Sequence, residues 1–441
     1  MSSVFYRTTK KTYPLAVKSE GMYVFDETGK KYLDMSGGAA VSCLGHQHPI
    51  VIKALSEQIQ TMSYAHTAFF SNKPQESLAT LLASKFGECD AKVYFTSGGS
   101  EANETAIKLA WQYWRAKGRN NKQKIISRAH SYHGNTYGAL SVSGNKPRRR
   151  IMGDVLQNWP RIEPCYAYRH KNIGESNQDY ALRAANALES MILAEGAETI
   201  AAFIAEPVVG ASLGVVAAEP GYFTRIREIC TKYDILLISD EIMCGTGRTG
   251  TFFAHEQDNF LPDIVTLAKG IAGGYQPLAA TIARAHIHET LSSNDNNFDH
   301  GHTYAGHASA CAAGLAVINV IDDQKLLERV KTQGDKLQTV LNNAFSDHPH
   351  IGDIRGRGLF RGIEIVEDKE SKSPFSDEVN ITKRLMQSVK KNGLICYPGG
   401  GSKQDNLGSH ILLAPPFIVE DVHIEQLIEK LHSVFAEVLD A

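Results

Sequence analysis

Ile235-Leu-Leu-Ile-Ser239 is followed directly by Asp240, and Ile264-Val-Thr-Leu-Ala268 is followed directly by Lys269. Both stretches are short and apolar, a pattern typical of buried strands. The carboxyl ends of neighbouring parallel strands meet in one crevice, so the carboxylate and the amine are expected to face the same space. A structural ion pair between them is the alternative that these two residues leave open.

The chemistry of this acid and this amine suits pyridoxal phosphate. A lysine amine forms an imine with the aldehyde of that cofactor. An acid held against the ring nitrogen keeps the ring protonated, so that the ring accepts electrons. The two strand ends therefore indicate a site for this cofactor, with the ion pair still possible at this point.

The composition is that of an ordinary globular protein. The chain has 441 residues, 43% of them hydrophobic and 21% charged, which allows two or three domains with a sizeable core. Its net charge of −2 provides no general attraction to nucleic acid or to an anionic membrane. We therefore expect neither as a partner.

The cysteines and the amino-terminal segment bear on the compartment. The seven cysteines include no CxxC pair, which favours a reducing compartment and disfavours a zinc site. The first ten residues lack the apolar core of a signal peptide, and no run approaches the ~20 apolar residues of a membrane span. A cytoplasmic location is predicted, with no metal.

Ser97-Gly-Gly-Ser100 separates a short apolar stretch from a helical pattern that includes Ile107 and Trp114. Ser100 is predicted as the N-cap of that helix. Small residues at a helix N-terminus leave backbone N–H groups free to bind a phosphate. A plain capped helix has the same pattern, and neither the GxxxxGK[ST] nor the GxGxxG motif is present.

The middle of the chain alternates strands and helices. Thr199-Ile-Ala-Ala-Phe-Ile-Ala205 is a buried-strand pattern that ends at Glu206. The alternation predicts an α/β fold with a mainly parallel sheet and helices on both faces. Tyr132 and His133 follow a predicted strand on a loop, where an aromatic ring stacks on a ligand or belongs to the core with equal ease.

The carboxyl-terminal part predicts a second, α+β unit. It contains predicted helices over 325–345, 378–391 and 422–439, and predicted strands over 359–365, 394–396 and 411–413. The segment Tyr397-Pro-Gly-Gly-Gly-Ser402 is predicted as a surface loop. The three histidines of His300-Gly-His-Thr-Tyr-Ala-Gly-His307 are predicted to serve hydrogen bonding in a loop rather than a metal, because their spacing does not place them on one helix face.

A set of motifs in fixed order resembles the class III, or ω-amino-acid, pyridoxal-phosphate aminotransferases. The resemblance extends from about residue 20 to about residue 435. The motifs are Thr96-Ser-Gly-Gly-Ser-Glu-Ala-Asn103, Tyr132-His-Gly134, Glu206-Pro207, Asp240-Glu-Ile242, Gly245-Thr-Gly-Arg-Thr-Gly250, Lys269-Gly270, His302-Thr-Tyr-Ala-Gly306 and Ala414-Pro-Pro416. Their order overturns the ion-pair interpretation of Asp240 and Lys269.

The resemblance implies a fold-type-I transferase with a homodimeric active site. Residues 1–65 would contribute to a small domain, residues 66–315 would form the large cofactor-binding domain, and residues 316–441 would form the C-terminal small α+β domain. Whether two such dimers associate into a tetramer is left open.

The resemblance also implies a role for each matching residue. Lys269 would be the catalytic Schiff-base lysine, and it would move the proton between the substrate Cα and the cofactor C4′. Asp240 would hold the ring nitrogen. The other implied cofactor contacts are Ile242 and Tyr132 on opposite ring faces, His133 beside that stack, Glu206 on the Asp240 side, Gly98, Gly99 and Ser100 at the phosphate, and Thr303 from the second subunit.

Departures from the family pattern concern the substrate. Ala211 and Leu412 stand where relatives that use 2-oxoglutarate carry a glutamate and an arginine, and the loop Gln404-Asp-Asn-Leu-Gly408 lacks the arginine of relatives that use pyruvate with amines. A bidentate carboxylate-binding group must therefore come from elsewhere or be missing. Ala39 and Ala40, where relatives place bulky groups, leave room for a larger amine.

These features predict transfer of an amino group from an ω-amino acid or amine to a keto acid, with pyruvate favoured, by a ping-pong mechanism. One alternative keeps the cofactor and changes the chemistry to that of an aminomutase, racemase or decarboxylase. A second alternative is a protein that binds a phosphate ligand without covalent chemistry.

Overall fold

The computed structural model describes residues 2–293 and 297–440. Within these ranges the strands are β1 (Ala16–Glu20), β2 (Tyr23–Asp26), β3 (Lys31–Asp34), β4 (Lys92–Thr96), β5 (Lys124–Arg128), β6 (Arg161–Ile162), β7 (Ile200–Ala205), β8 (Val208–Val209), β9 (Val216–Ala217), β10 (Leu236–Asp240), β11 (Ile264–Leu267), β12 (Ala279–Ala283), β13 (Ile351–Arg357), β14 (Phe360–Ile365), β15 (Leu394–Ile395), β16 (Tyr397–Gly399) and β17 (Ser409–Leu413).

The helices of the same ranges are α1 (Gly37–Ala40), α2 (Pro49–Thr61), α3 (Lys73–Phe86), α4 (Gly99–Ala116), α5 (Tyr137–Val142), α6 (Lys146–Arg149), α7 (Ala167–His170), α8 (Asn177–Glu195), α9 (Tyr222–Lys232), α10 (Ala285–Ser292), α11 (Ala308–Asp323), α12 (Leu326–Phe345), α13 (Ile381–Lys391) and α14 (Asp421–Val438). Short 3₁₀ turns cover Ala197–Thr199, Ala254–Asp258, Lys269–Ala272 and Asp377–Val379. Among the described helices, none combines the length and the apolar content that crossing a bilayer requires.

A seven-stranded sheet with the order β4-β12-β11-β10-β7-β5-β6 forms the centre of the molecule. The β10–β11, β10–β7, β7–β5 and β5–β6 pairs are parallel, and β12 runs antiparallel to both of its neighbours. The prediction of an α/β fold with a mainly parallel sheet is confirmed. In the register of β10 and β11, Asp240 lies opposite Thr266.

Alternate residues of the central strands contact helices on opposite faces of the sheet. Phe203 and Leu237 belong to an apolar cluster that includes side chains of α8 and α9. Ile204 and Ile238, the next residue in each strand, belong to another cluster with side chains of α4 and α10. Strand side chains alternate between the faces, so continuous apolar runs are required where both faces are covered. Each fully buried aliphatic side chain of this kind contributes roughly 1.5–3 kcal/mol.

Two four-stranded sheets lie outside the central one. The first has the order β1-β2-β3-β15, and β15 runs parallel to β3, so an amino-terminal hairpin pairs with a strand from residue 394 onward. The second has the order β13-β14-β17-β16. Segments that are distant in sequence therefore share one sheet.

The prediction of a surface loop over 397–402 is wrong in its first half. Tyr397–Gly399 pairs antiparallel with β17, and Pro398 and Gly399 are buried. Proline is tolerated here because β16 is an edge strand, where a missing N–H donor breaks no ladder on its outer side. The prolines and glycines of this segment carry no information about its pairing with β17.

Candidate active site

Lys269 stands where the chain leaves β11. Its φ of +53° is in the left-handed region, which is uncommon for a residue other than glycine. The Nζ atom donates a hydrogen bond to the Ala39 carbonyl at 3.0 Å. In the described part of the chain no carboxylate oxygen lies within 4.0 Å of it, so the structural ion pair with Asp240 does not form.

The pKa of Lys269 is lowered from 10.5 to about 8. Burial is the main cause, because removal of water disfavours the charged form of an amine. The negative charge of Asp240 opposes this effect, and the positive charge of Arg148 adds to it. A substantial fraction of the amine is therefore neutral near physiological pH, as a nucleophile requires.

Asp240 is buried at the end of β10 and is held by three donors. Its Oδ2 lies 2.8 Å from Nδ1 of His133 and accepts a hydrogen bond from Nδ2 of Asn103 at 2.8 Å. Its Oδ1 accepts from the Ile242 backbone N–H at 3.1 Å. A buried carboxylate with this many donors has a defined orientation, which is what a group that binds a ring nitrogen needs.

Asn103 is a site residue to which the sequence assigned no role. Its Nδ2 also donates to the His133 carbonyl at 2.6 Å, and its Oδ1 accepts from the Thr266 hydroxyl at 2.9 Å. One amide therefore links α4, β11 and the loop after β5. A signal was present, because Asn103 interrupts an otherwise apolar helix face with Ala106 and Ala110, and a polar residue on a buried face needs partners.

Glu206 connects the loop after β5 to the end of β7. Its Oε1 accepts from the Tyr132 backbone N–H at 3.0 Å, and its Oε2 lies 3.1 Å from Nη2 of Arg128 and 3.9 Å from Nε2 of His133. Burial acts to raise the pKa of Glu206, but His133 and Arg128 outweigh it and the pKa is lowered. Glu206 therefore remains charged and positions the loop that carries Tyr132 and His133. Arg128, which ends β5, was not predicted as part of the site.

The helix that follows β4 begins at Gly99, and Gly98 is its N-cap. The prediction of Ser100 as N-cap is wrong, because Ser100 lies inside the first turn and its Oγ accepts from the Asn135 N–H at 3.0 Å. The first N–H groups of an α-helix have no acceptor within the helix. This end of α4 therefore presents donors and the positive end of the helix dipole.

The two glycines at this turn have different surroundings. A Cβ at Gly98 would meet nothing within 4 Å, so this residue borders open space. A Cβ at Gly99 would lie 2.8 Å from the Ile242 side chain, so glycine is required there. Ile242 packs against Ala102, Ala268 and Ala279 and thereby brings the strand ends close to the N-terminus of α4.

The Tyr132 ring borders a large cavity. The guanidinium of Arg148 lies over this ring, 4.4 Å from its centroid. The cavity has a volume of about 930 Å³, and Tyr132, Arg148, Ala211 and Tyr397 line it. A space of this size holds a small organic substrate.

Thr303 differs from the other predicted site residues in being exposed. Its carbonyl accepts from the Tyr64 hydroxyl at 3.0 Å. On the same loop His300 is 2.9 Å from the Thr105 hydroxyl, which confirms a hydrogen-bonding role for that histidine. A threonine on the outer surface of one chain is available to a neighbouring chain.

The two positions at which relatives that use 2-oxoglutarate carry charged side chains, Ala211 and Leu412, are apolar here. Leu412 is fully buried in a cluster with Ala40, Phe360 and Ala414, where no charged group could replace it without desolvation. The Ala211 carbonyl lies 3.1 Å from Nε2 of His410. Neither position supplies a cation to a substrate carboxylate.

Comparison with known proteins agrees with this geometry. The sequence profile described as Aminotransferase class-III matches residues 5–435. An uncharacterized aminotransferase of Schizosaccharomyces pombe is 40% identical, over 99% of this chain and 96% of its own length. The aminotransferase YodT of Bacillus subtilis is 38% identical, over 97% of this chain and 95% of its own length.

A solved structure has the same fold. The crystal structure of a thermostable (S)-enantioselective omega-transaminase from Thermomicrobium roseum superposes with a TM-score of 0.92 at 37% identity, over 99% of this chain and 95% of that chain. A vanillin aminotransferase of Capsicum chinense is 39% identical in sequence, over 94% of this chain and 90% of its own length.

Proposed function

The chain belongs to the class III aminotransferases, and on that premise we propose that it moves the amino group of an amine or ω-amino acid to pyruvate by a ping-pong cycle. Enzymes of this family depend on pyridoxal phosphate, and their fold is the fold-type-I transferase fold described above. The observation that carries the proposal is Lys269, a half-buried lysine at the end of β11 whose amine contacts only the Ala39 carbonyl among the described residues and whose pKa is lowered to about 8.

The residues at the strand ends fit the cofactor. An aldehyde needs a neutral amine, a ring nitrogen needs a carboxyl group as its partner, and a phosphate needs N–H donors. Lys269 and Asp240 meet the first two needs, and the turn at Gly98, Gly99 and Ser100 meets the third. The open space at the Gly98 Cβ position leaves room for the phosphate to approach the backbone, whereas the Gly99 Cβ position faces Ile242.

We assign the other contacts of the cofactor from the resemblance to the family, together with the contacts described above. Ile242 would pack on one ring face and Tyr132 on the other. His133 and Glu206 would act through Asp240 and through the Tyr132 backbone, because those are the groups they contact. When bound, the cofactor supplies an electron sink for the carbanion at the substrate Cα.

Two chain residues would move or hold protons during the reaction. Lys269 would hold the cofactor through Nζ, and this nitrogen, when released, takes the proton from the substrate Cα. Asp240 retains the proton at the ring nitrogen, and Asn103 and His133 keep its carboxylate in place. The burial of Asp240 excludes water that would screen this interaction.

The assignments of the amine donor and of the acceptor are supported by different observations. The similarity to proteins named omega-transaminase and vanillin aminotransferase supports a donor with a terminal amine. Ala211 and Leu412 support pyruvate over 2-oxoglutarate, because neither side chain can bind a second carboxylate. Ala39, whose carbonyl accepts from the Lys269 amine, has only a small side chain at this place, whereas Ala40 is buried in the apolar cluster with Leu412 and leaves no room there.

A donor screen tests this proposal. Purified enzyme with pyridoxal phosphate is offered terminal amines and ω-amino acids with either pyruvate or 2-oxoglutarate, and alanine and glutamate are measured. We expect alanine to form from at least one terminal amine at a rate well above that of glutamate. Formation of glutamate alone would contradict the acceptor assignment.

The half-reaction separates transamination from the other chemistries of this cofactor. With donor but without acceptor, a transaminase stops after one turnover per site, and the cofactor absorbance shifts from its aldehyde form to its amine form. A racemase, aminomutase or decarboxylase continues to turn over under the same condition. Continued product formation without acceptor would therefore contradict aminotransfer.

We further propose a homodimer in which Thr303 of each chain completes the phosphate site of the other. The exposure of Thr303 in the single chain supports this arrangement. Size measurement by light scattering at low protein concentration should give a dimer. An active monomer would overturn the shared site.

A cytoplasmic location is our proposal for the compartment. The seven cysteines, all within the described residues, are free thiols, and six of them are buried. Free thiols suit a reducing compartment. Localisation of the tagged protein by cell fractionation tests the proposal, and recovery of the protein from an oxidising compartment would contradict it.

A further inference from the structure

The position of Arg148 is set by one contact of its backbone and one contact of its side chain. Its backbone N–H donates to Oδ1 of Asn145 at 3.1 Å, which caps α6. Its guanidinium lies over the Tyr132 ring, and the Tyr132 backbone is anchored in turn by Glu206. A guanidinium stacked on an aromatic ring keeps its N–H edge directed sideways, available to a planar anion.

The charge of Arg148 has no partner among the described residues. Within them no carboxylate oxygen lies within 4.0 Å of its guanidinium nitrogens, whereas the buried Arg128 and Arg355 each bind a carboxylate. The cavity beside Tyr132 is further lined by Arg7, Lys11 and Lys390 and by one acid, Asp26, so cations outnumber acids along its wall. The field of Arg148 also reaches the Lys269 amine. An unpaired cation at this place is suited to an anionic ligand.

We propose that Arg148 binds the carboxylate of the keto acid and of the amino acid formed from it, and so determines specificity for carboxylate-bearing acceptors. This inference rests on the proposed aminotransfer and names the group that recognises the acceptor. Guanidinium and carboxylate form two parallel N–H···O bonds, which fix the orientation of the neighbouring carbonyl carbon. The carboxylate is not altered in the reaction, so the interaction positions the substrate without taking part in bond making.

Other arginines near the cavity are less suited to this role. Nη1 of Arg149 donates to the carbonyls of Leu140 and Ser141 at 2.7 and 2.8 Å, which holds this guanidinium against the carboxyl end of α5. Arg7 lies on an exposed amino-terminal segment. Arg148 alone among these three lies against Tyr132.

The test compares acceptors with and without a carboxylate in the holoenzyme. Arg148→Met is expected to raise KM for pyruvate by on the order of 10- to 100-fold, the usual loss for hydrogen bonds to a charged group. KM for butanal, an acceptor without a carboxylate, should stay within about twofold of its unaltered value, because butanal makes no such bonds. In Arg148→Lys, KM for pyruvate should lie between the values of the unaltered enzyme and of Arg148→Met, since lysine keeps the charge and loses the paired geometry.

Binding of a non-reacting carboxylate provides a readout that does not need turnover. The dissociation constant of propionate for the holoenzyme, measured by calorimetry, should rise in Arg148→Met in parallel with KM for pyruvate. Arg150→Ala is the matched control, because Arg150 is an exposed arginine of the same segment and its loss changes the net charge equally. It should leave all three quantities unchanged.

Each possible result bears on the proposal. Unchanged propionate binding in Arg148→Met, an equal loss for pyruvate and butanal, or an equal effect of Arg150→Ala would overturn the role of Arg148. Failure of the unaltered enzyme to aminate either acceptor would overturn the proposed aminotransfer instead. The propionate measurement would still decide the role of Arg148 in that case.

Discussion

Two buried clusters of charged residues lie in this molecule, and they differ in how completely their members are satisfied. The first is the active-site cluster, defined by Asp240, Glu206, His133 and Lys269. The second is the interior cluster, defined by Glu364 and its three partners Tyr166, Arg169 and Arg355. Both contain carboxylates at most 6% exposed. Burial alone therefore does not distinguish a site from a structural network.

The carboxylate of the interior cluster is fully paired. Glu364 accepts from Arg169, Arg355 and Tyr166, each at 2.6 Å. Burial acts to raise the pKa of Glu364, but Arg355 and Arg169 outweigh it and lower the pKa to about 2. These bonds join β13 and β14 to α7, so the cluster ties two parts of the chain together.

The active-site cluster is open. Nε2 of His133 is buried and has no hydrogen-bond partner among the described residues, and the Lys269 amine has a single carbonyl acceptor. Buried groups without partners are costly, and a stable fold retains them where a ligand completes the bonding. Because Nε of Arg169 also has no partner among the described residues, the comparison teaches that an amine without an ion-pair partner, rather than charge density or any one unsatisfied atom, marks the site.

Lys269→Ala should have the largest effect. We expect turnover to fall by at least about four orders of magnitude, because the variant has no amine to hold the cofactor or to move the proton. The fold should persist, since only one hydrogen bond to a carbonyl is removed. Steady-state kinetics and circular dichroism measure the two expectations.

Lys122→Met is the control for a buried lysine. The pKa of Lys122 is also lowered to about 8 by burial, but its Nζ donates to the carbonyls of Ala197, Ile200 and Asp234. This variant should lose stability and keep its turnover per folded molecule. If both lysine variants lost turnover equally, the distinction between open and closed sites would fail.

Glu364→Ala should act mainly on stability. Removal of one member of a buried ion pair leaves the others uncompensated, at a cost of about 3–5 kcal/mol in the free energy of unfolding. Equilibrium urea denaturation at one fixed protein concentration measures this loss. Turnover of the folded fraction should change by less than about threefold, because Glu364 belongs to the interior cluster; a loss of turnover without loss of stability would place it in the active site.

Asp240→Asn should act mainly on catalysis. The substitution keeps the size of the side chain and removes the charge that holds the ring-nitrogen proton, so we expect kcat to fall on the order of 10²-fold. Cofactor retention during dialysis should also weaken. Stability should fall less than in Glu364→Ala, and unaltered kinetics would show that Asp240 has no such role.

The smallest effect concerns pH. Only the neutral form of Lys269 captures the cofactor, so the capture rate of the apoprotein should rise with pH and level off above about 8, the pKa of this amine. Arg148→Met removes a cation that lowers this pKa, so the midpoint should move to higher pH. Stopped-flow absorbance measures the rate; a profile with its midpoint near 10 in the unaltered protein would show that Lys269 is not desolvated.

Several features of the site were predictable because they depend on residues adjacent in sequence. The apolar runs before Asp240 and Lys269 predicted two strands, and the observed β10 and β11 end within one residue of the predicted ends. Alternation of strands and helices predicted the parallel sheet. The small residues after β4 predicted a helix N-terminus, although the cap is Gly98 rather than Ser100.

Other features depend on residues far apart in sequence. Asn103 gains its role from Asp240 and Thr266, and Arg128 from Glu206. The pairing of Tyr397–Gly399 with β17 replaced a loop that its prolines and glycines predicted. No local pattern encodes which distant group a side chain meets.

The sequence by itself determined most of the strands and helices and the two chemical groups that stand at the strand ends, since these follow from local periodicity and residue type. Only the tertiary structure decided which polar groups would be satisfied and which left open. Hydrogen bonding, desolvation and the field of Arg148 act through space, and they convert an ordinary lysine into an amine with a pKa of about 8.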